Sequence, residues 1–297
     1  MILLDYSQIS IAAILAFQRE IKSASPEEGE SIIRHAIISS ILSNKKKFSK
    51  DYGTLVIAID DRNYWRRDRF EHYKASRKIG REKSDIDWDF IFTCMNNIKD
   101  DLITNFPYKV IQVEKCEADD IIAVISKWTQ TNDFDISGIE DISKKTLILS
   151  ADHDFSQLHQ YSNIRQYSPM QKKYIDKPKN VQAFINEHIA NGDRGDGICN
   201  TLSPGDSFVN KIRQNTMRKD RLQEFIEHGI EACRTDTERC YWQRNELLVS
   251  FDMIPENISN NIIDTFTSCI INGSQGLIYK YFIKHNCRLL IDSIEEF

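Results

Sequence analysis

The chain has 297 residues, 41% hydrophobic and 28% charged, an ordinary globular composition with room for two domains. Its seven cysteines are scattered with no C-x-x-C pair, which excludes a zinc ribbon and fits reduced thiols in a cytosolic compartment. No apolar run approaches the roughly 20 residues that span a bilayer, and a net charge of −5 gives no general attraction for nucleic acid.

The opening "MILLDYS" reads as a buried strand with Asp5 at its exit. It lacks a basic leader, which argues against a signal peptide. "SIIRHAIISSILSNKKK" has helical apolar spacing. "TLVIAIDD" is a second buried strand, ending in Asp60 and Asp61. Positions 62–83 form a highly charged segment. "DWDFIFTCMNNIKDDLITNF" is an amphipathic helix, "YKVIQVEK" a third strand, and "CEADDIIAVISKWTQ" a helix that opens with acids. Positions 131–145 form a surface excursion. "KKTLILSADHD" is a fourth strand and "IRQYSP" a short fifth. Strands alternating with helices predict an α/β fold with a largely parallel sheet. Beyond about position 180 the pattern becomes helices joined by polar turns. The expected division is a catalytic domain over 1–180 and a smaller all-helical domain over 181–297.

In such sheets the functional site lies beyond the carboxyl ends of the strands. Asp5, Asp60 and Asp152 each follow an apolar strand, and the third strand leads into Glu117, Asp119 and Asp120. Asp154 follows Asp152, and "GDRGDG" adds Asp193 and Asp196. A single such Asp is most often a helix cap; acids on four strand exits exceed what capping needs. Carboxylates a few ångströms apart repel by about 4 kcal/mol per pair at an effective dielectric of 20, so cations must balance them. Oxygen-only ligands select Mg²⁺ or Mn²⁺, and two such ions clamp a phosphodiester for in-line attack by water. In extended chain Asp152 and Asp154 face one side, and Glu117 and Asp120 share a helix face. His153 points away from the acids and is not a ligand.

Two basic zones stand out on this acidic chain. Positions 62–83 hold nine basic residues against three acidic, and 211–221 hold five against one. In the first, Arg66, Arg67, Lys74, Arg77 and Arg81 interleave with Tyr64, Trp65, Phe70 and Tyr73, as stacking on a single strand requires; a solvated charged helix is the plainer possibility. In the second, Lys211, Arg213, Arg218 and Lys219 are placed to grip duplex phosphates.

"LLDYSQI", "AIDDRNYWRRD", "YKASR", "EKCEADDIIAV", "SADHDFSQL", "YSPMQKKY" and "NGDRGDGI" resemble, in order and spacing, the flap-endonuclease-like 5′ nucleases, and within them the phage enzymes called ribonuclease H, which are unrelated in fold to the usual ribonuclease H. The resemblance extends through "NELLVSFDMIPENISNNII" and "IYKYFIKHN" and covers nearly the whole chain. It implies a PIN-like nuclease domain followed by a helix–three-turn–helix domain and two Mg²⁺ ions, with Mn²⁺ as substitute. The activity it implies is 5′→3′ exonuclease, ribonuclease H and flap endonuclease action on RNA·DNA hybrid and on flap or nicked duplex DNA. In phage replication this would remove RNA primers from lagging-strand fragments, by a monomer in the cytoplasm of the infected bacterium.

Residue by residue, the resemblance gives Asp5, Asp60, Glu117, Asp119 and Asp120 to a first metal cluster, Asp152 and Asp154 to positions between the ions, and Asp193 and Asp196 to a second cluster. Positions 66–81 match the helical arch, with Lys74 and Arg77 on its phosphate-steering positions and Tyr73 beside them. A single-stranded DNA-binding protein is the implied partner. Docking on a sliding clamp stays open, because the chain begins almost at its first strand. Gly197 stands where the family usually has Asn, and "CNTLSPGDSF" replaces the usual glycine-rich loop, so a monovalent cation site there is not expected. A PIN-type endoribonuclease and an inactive replication scaffold remain the competing possibilities at this point.

Overall fold

The computed structural model describes residues 1–131 and 145–297. The excursion expected at 131–145 falls almost wholly outside the described residues. In chain order the elements are β1 (Ile2–Asp5), α1 (Tyr6–Ala16), α2 (Gln18–Ser23), α3 (Pro26–Tyr52), β2 (Leu55–Ile59), α4 (Trp65–Arg69), α5 (Ala75–Glu82), α6 (Trp88–Asn105), β3 (Lys109–Gln112), α7 (Ala118–Thr131), β4 (Thr146–Leu149), β5 (Ile164–Ser168) and β6 (Lys173–Tyr174). The later helices are α8 (Val181–Asn191), α9 (Lys219–His228), α10 (Asp236–Val249), α11 (Glu256–Ser268) and α12 (Gln275–Lys284).

The strands form one six-stranded sheet in the order β3-β2-β1-β4-β5-β6. All pairs are parallel except the edge hairpin β5–β6. Every residue of β1, β2 and β4 is buried, as continuous apolar runs require when both faces are covered. Alternation sorts the side chains between two cores. Ile2, Leu4, Leu55, Ile57 and Ile59 meet α1, α3 and α6, whereas Leu3, Val56, Ala58 and Ile148 meet α7. The chain runs from β1 outward to β2 and β3, then returns to place β4 on the other side of β1. The order of strands therefore reverses between β1 and β4, which opens a crevice at their carboxyl ends.

Local signals set the helices. Ser25 and Glu28 close a reciprocal capping box at the start of α3, with Pro26 in its first turn. Asn180 caps α8. Helices α8, α9 and α10 share a third core built on Ile189, Phe225, Trp242 and Leu248. The last two helices lie elsewhere. α11 packs Ile258, Ile262 and Phe266 into one face of the sheet, and α12 packs Ile278, Tyr281 and Phe282 into the other. The helical region is thus tied back onto the α/β core instead of standing apart from it. The charged segment 62–83 contains two short helices, α4 and α5.

Candidate active site

Asp5 ends β1 and is buried. Its Oδ1 accepts from the backbone N of Gln8 at 3.0 Å and caps α1, while Oδ2 accepts from Ser150 Oγ at 3.2 Å. Asp60 follows β2, and its Oδ1 accepts from the backbone N of Ala118, the first residue of α7, at 2.8 Å. Asp152 follows β4, and its Oδ1 accepts from the backbone N of Asp154 at 2.9 Å. The capping role and the site role therefore coexist. Each acid is fixed through one oxygen on a helix N-terminus, and among the described residues no donor reaches the second oxygen of Asp60 or Asp152.

These acids press on one another. Burial, then the charges of Asp60 and Asp152, push Asp5 up to about 7. Burial, then Asp154, push Asp152 up to about 6. Burial, then Asp152 and Asp5, push Asp119 well above the carboxylate range. Acids from β1, the β2 exit, α7 and the β4 exit thus meet at the crevice, with more negative charge than the local protein balances.

Asp152 and Asp154 are not in extended chain as their spacing suggested. Asp152 caps a 3-10 helix, His153–Gln160, in which Asp154 occupies the first turn. His153 is exposed. Asp154 is drawn towards the helical region, where His188 Nδ1 lies 3.1 Å from its Oδ1.

Glu117 and Asp196 meet the base of the expected arch. Lys74 Nζ donates to Glu117 Oε1 and lies 3.6 Å from Asp196 Oδ2. The single hydroxyl proton of Tyr73 is shared between Glu117 Oε2 at 2.9 Å and Asp196 Oδ2 at 3.1 Å. Arg77 Nη2 donates to Asp196 Oδ1 at 2.5 Å. Burial works to raise the pKa of Glu117, and Lys74 and Arg66 override it, holding this carboxyl below its usual range. For Asp196 burial outweighs Lys74 and Arg77, so its pKa is raised. Lys74 and Tyr73 are buried at this contact, whereas Arg77 is exposed.

Two expected site residues face another way. Asp120 is fully buried and 2.8 Å from Arg66 Nη1; it accepts from Trp65 Nε1 at 3.1 Å and from the backbone N of Glu117 at 3.0 Å. Its oxygens are directed at α4 and at its own helix start, away from Asp5 and Asp152. Arg66, only 3% exposed, also donates to Glu117 Oε2 at 2.9 Å and to the Leu248 carbonyl at 2.9 Å. Its guanidinium is committed inside the protein and is not presented to nucleic acid. The adjacent Arg67 is exposed, and so are Arg81, Lys211 and Arg213.

Backbone shape brings "GDRGDG" to this place. Gly192 has φ +66, and a Cβ there would stand 2.4 Å from the Ile198 carbonyl oxygen, so only glycine fits. Gly197 has φ +76, and a Cβ would stand 2.9 Å from the His72 carbonyl oxygen. That approach, with Lys74 N donating to Asp196 O at 2.7 Å, explains glycine here in place of the usual Asn. Residues without a sequence signal complete the site. His188 also places Nε2 3.5 Å from Asp193 Oδ2. Burial opposes its protonation, but the carboxylates of Asp154 and Asp193 beside its two ring nitrogens push it up to about 10. Asp193 is correspondingly held down to about 2, chiefly by His188. Asn245, buried in α10, donates to the Ile189 and Cys199 carbonyls at 2.8 Å each and locks the loop after α8.

Among the described residues, no three His, Cys, Asp or Glu side chains already close around a single point as a metal cage. None of the described helices is long and apolar enough to cross a membrane.

Comparison with known proteins places the chain in a family. Residues 1–186 match the family described as 5′-3′ exonuclease, N-terminal resolvase-like domain, and residues 181–297 match that described as T4 RNase H, C terminal. Ribonuclease H of Enterobacteria phage T4 is 35% identical over 306 residues, covering 99% of this chain and 95% of that protein. Two solved structures share the fold at 16% identity. A bacteriophage T5 flap endonuclease, in a pseudo-enzyme–product complex with DNA and metal ions, aligns with a TM-score of 0.58 over 90% of this chain and 99% of that one. The T5 5′-exonuclease with bound zinc aligns with a TM-score of 0.55 over 96% and 97%. The chain belongs to the 5′-3′ exonuclease, flap-endonuclease-like family and is a nuclease related to T4 ribonuclease H.

Proposed function

We propose that this nuclease hydrolyses RNA·DNA hybrid and flap or nicked duplex DNA from the 5′ end with two Mg²⁺ ions. The observation that carries the proposal is the meeting of Asp5, Asp60, Asp119 and Asp152 at the crevice, with the pKa values of Asp5, Asp119 and Asp152 raised by burial and mutual repulsion. The donors are all carboxylate oxygen, which suits a hard cation. Mg²⁺ keeps several of its waters, so carboxylates need not converge on one point to bind it. Asp5, Asp60, Glu117, Asp119 and Asp152 would hold one ion, and Asp154, Asp193 and Asp196 the other. Asp120 is left out, because it serves Arg66. When bound, the ions supply an activated water and neutralise the leaving oxygen.

The chain's own groups do the remaining work. The strand exits fix the acids through helix N-termini, so the acids need little reorganisation as charge develops. Lys74, buried between Glu117 and Asp196, and the exposed Arg77 beside it are the cations that would receive a scissile phosphate. Exposed Arg67 and Arg81 would hold the single strand, and Lys211 and Arg213 the duplex behind it. The DNA and metal ions bound by the T5 relative support the same class of ligand. Removal of RNA primers by a monomer in the host cytoplasm, in partnership with a single-stranded DNA-binding protein, belongs to the same proposal.

The test is a 5′-labelled RNA·DNA hybrid and a 5′-flap duplex, each incubated with Mg²⁺ or with EDTA. Shortening from the 5′ end with Mg²⁺ alone, reduced at least about a hundredfold by Asp152→Asn, is expected. Cleavage of single-stranded RNA without attack on the flap would replace the proposal with a PIN-type endoribonuclease.

A further inference from the structure

We infer that His188 is a positioning residue that braces Asp154 against Asp193 and thereby sets the affinity of the second cation; this rests on the two-ion reading above. The residue stands in the last turn of α8 and reaches two pieces of chain at once. Asp154 comes from the 3-10 helix after β4, in the α/β part. Asp193 comes from the turn that closes α8. His188 Nδ1 is 3.1 Å from Asp154 Oδ1, and Nε2 is 3.5 Å from Asp193 Oδ2. Asp193 Oδ1 meanwhile accepts from the backbone N of Asp196 at 3.0 Å.

The ring is itself held. Phe184, one turn earlier on α8, meets it edge-on with centroids 6.3 Å apart. The helix end is fixed by the turn at Gly192, whose N donates to the His188 carbonyl at 2.8 Å. Both ring nitrogens face carboxylate oxygens, so His188 acts through the acids and is not itself a ligand. It takes Oδ1 of Asp154 and Oδ2 of Asp193 and leaves Asp154 Oδ2 to turn towards an ion. Without the ring, two like charges on separate chain segments have nothing between them and move apart. Outer-shell partners of this kind typically change metal affinity or activity by 10- to 100-fold.

The experiment uses the full chain and Mn²⁺ as the probe, with bound ions counted by electron paramagnetic resonance during a titration. The wild type is expected to bind two Mn²⁺. His188→Ala should weaken one of the two sites by about 10- to 100-fold and leave the other unchanged. On a flap substrate kcat should fall while KM stays within about twofold, because the phosphate-gripping cations are untouched. His188→Gln, which keeps one donor, should recover part of the lost affinity; it also carries the test if the alanine variant melts early. Two Mn²⁺ bound by His188→Ala with wild-type affinities would overturn the inference alone. A wild type that binds no Mn²⁺ would overturn the two-ion reading, and the inference with it.

Discussion

Arg66 and Arg67 are neighbours in sequence and opposites in structure, and replacing each separates holding the site from binding nucleic acid. Arg66→Met removes a guanidinium that is 3% exposed and lies between Glu117 and Asp120, which are 1% and 0% exposed. Glu117 keeps Lys74 and Tyr73. Asp120 keeps only Trp65 Nε1 and a backbone N, and its carboxylate becomes a buried charge without a counter-ion. Breaking a buried pair in this way costs about 3–5 kcal/mol. The lost bond to the Leu248 carbonyl also frees α4 from α10. At roughly 2–4 °C per kcal/mol for a chain of this class, Tm should fall by about 6–20 °C. Arg67→Ala removes an exposed group that makes a 3.4 Å bond to the Tyr73 carbonyl and a ring contact with Tyr64; its cost should stay below about 1 kcal/mol. Thermal unfolding followed by circular dichroism, with both variants side by side, is the assay. An Arg66→Met variant that melts within about 2 °C of wild type would refute the structural assignment of this residue.

Further outcomes follow from the same geometry. Burial, then neighbouring carboxylates, push Asp5 up to about 7 and Asp152 up to about 6, against an ordinary 3.8. Their contribution to stability is therefore fully present below about pH 4 and lost as pH rises through 6 and 7. Mg²⁺ should then raise Tm by more at about pH 7.5 than at about pH 5, and equal shifts at both would speak against the crowded carboxylates. Gly192→Ala, with φ +66 and a Cβ 2.4 Å from the Ile198 carbonyl oxygen, should cost more than about 2 kcal/mol in urea unfolding. Lys211→Ala and Arg213→Ala should each flatten the log–log salt dependence of duplex binding by about 0.9; an unchanged slope would remove these exposed residues from the duplex interface.

Much of the fold is legible because burial leaves a strong pattern. β1, β2 and β4 are covered on both faces, so they read as unbroken apolar runs, and the acids follow at the strand ends where a parallel sheet places its site. β6 is only two residues at an open edge, with Lys172 before it at φ +54, too short for any alternation to mark it. The apolar spacing of α11 and α12 signals helices, but not that they would cover opposite faces of the sheet.

Within the site, residue type was more legible than direction. Glu117 and Asp120 do share a face, and Arg66 pairs with both there, which draws Asp120 out of the carboxylate cluster. The run "YWRRD" cannot show which arginine turns inward, since that depends on the Leu248 carbonyl 182 positions away. Asp152 and Asp154 were expected in extended chain, but a 3-10 helix begins between them. His188 left no mark, because its partners lie on two segments that only the folded chain brings together.

The most direct measurement is an anomalous diffraction map from crystals soaked in Mn²⁺. Two peaks are expected at the carboxyl edge of the sheet, one beside Asp5, Asp119 and Asp152 and the other beside Asp154 and Asp193, with none at Asp120. A map without a peak at that edge, or with its metal bound elsewhere, would contradict the account.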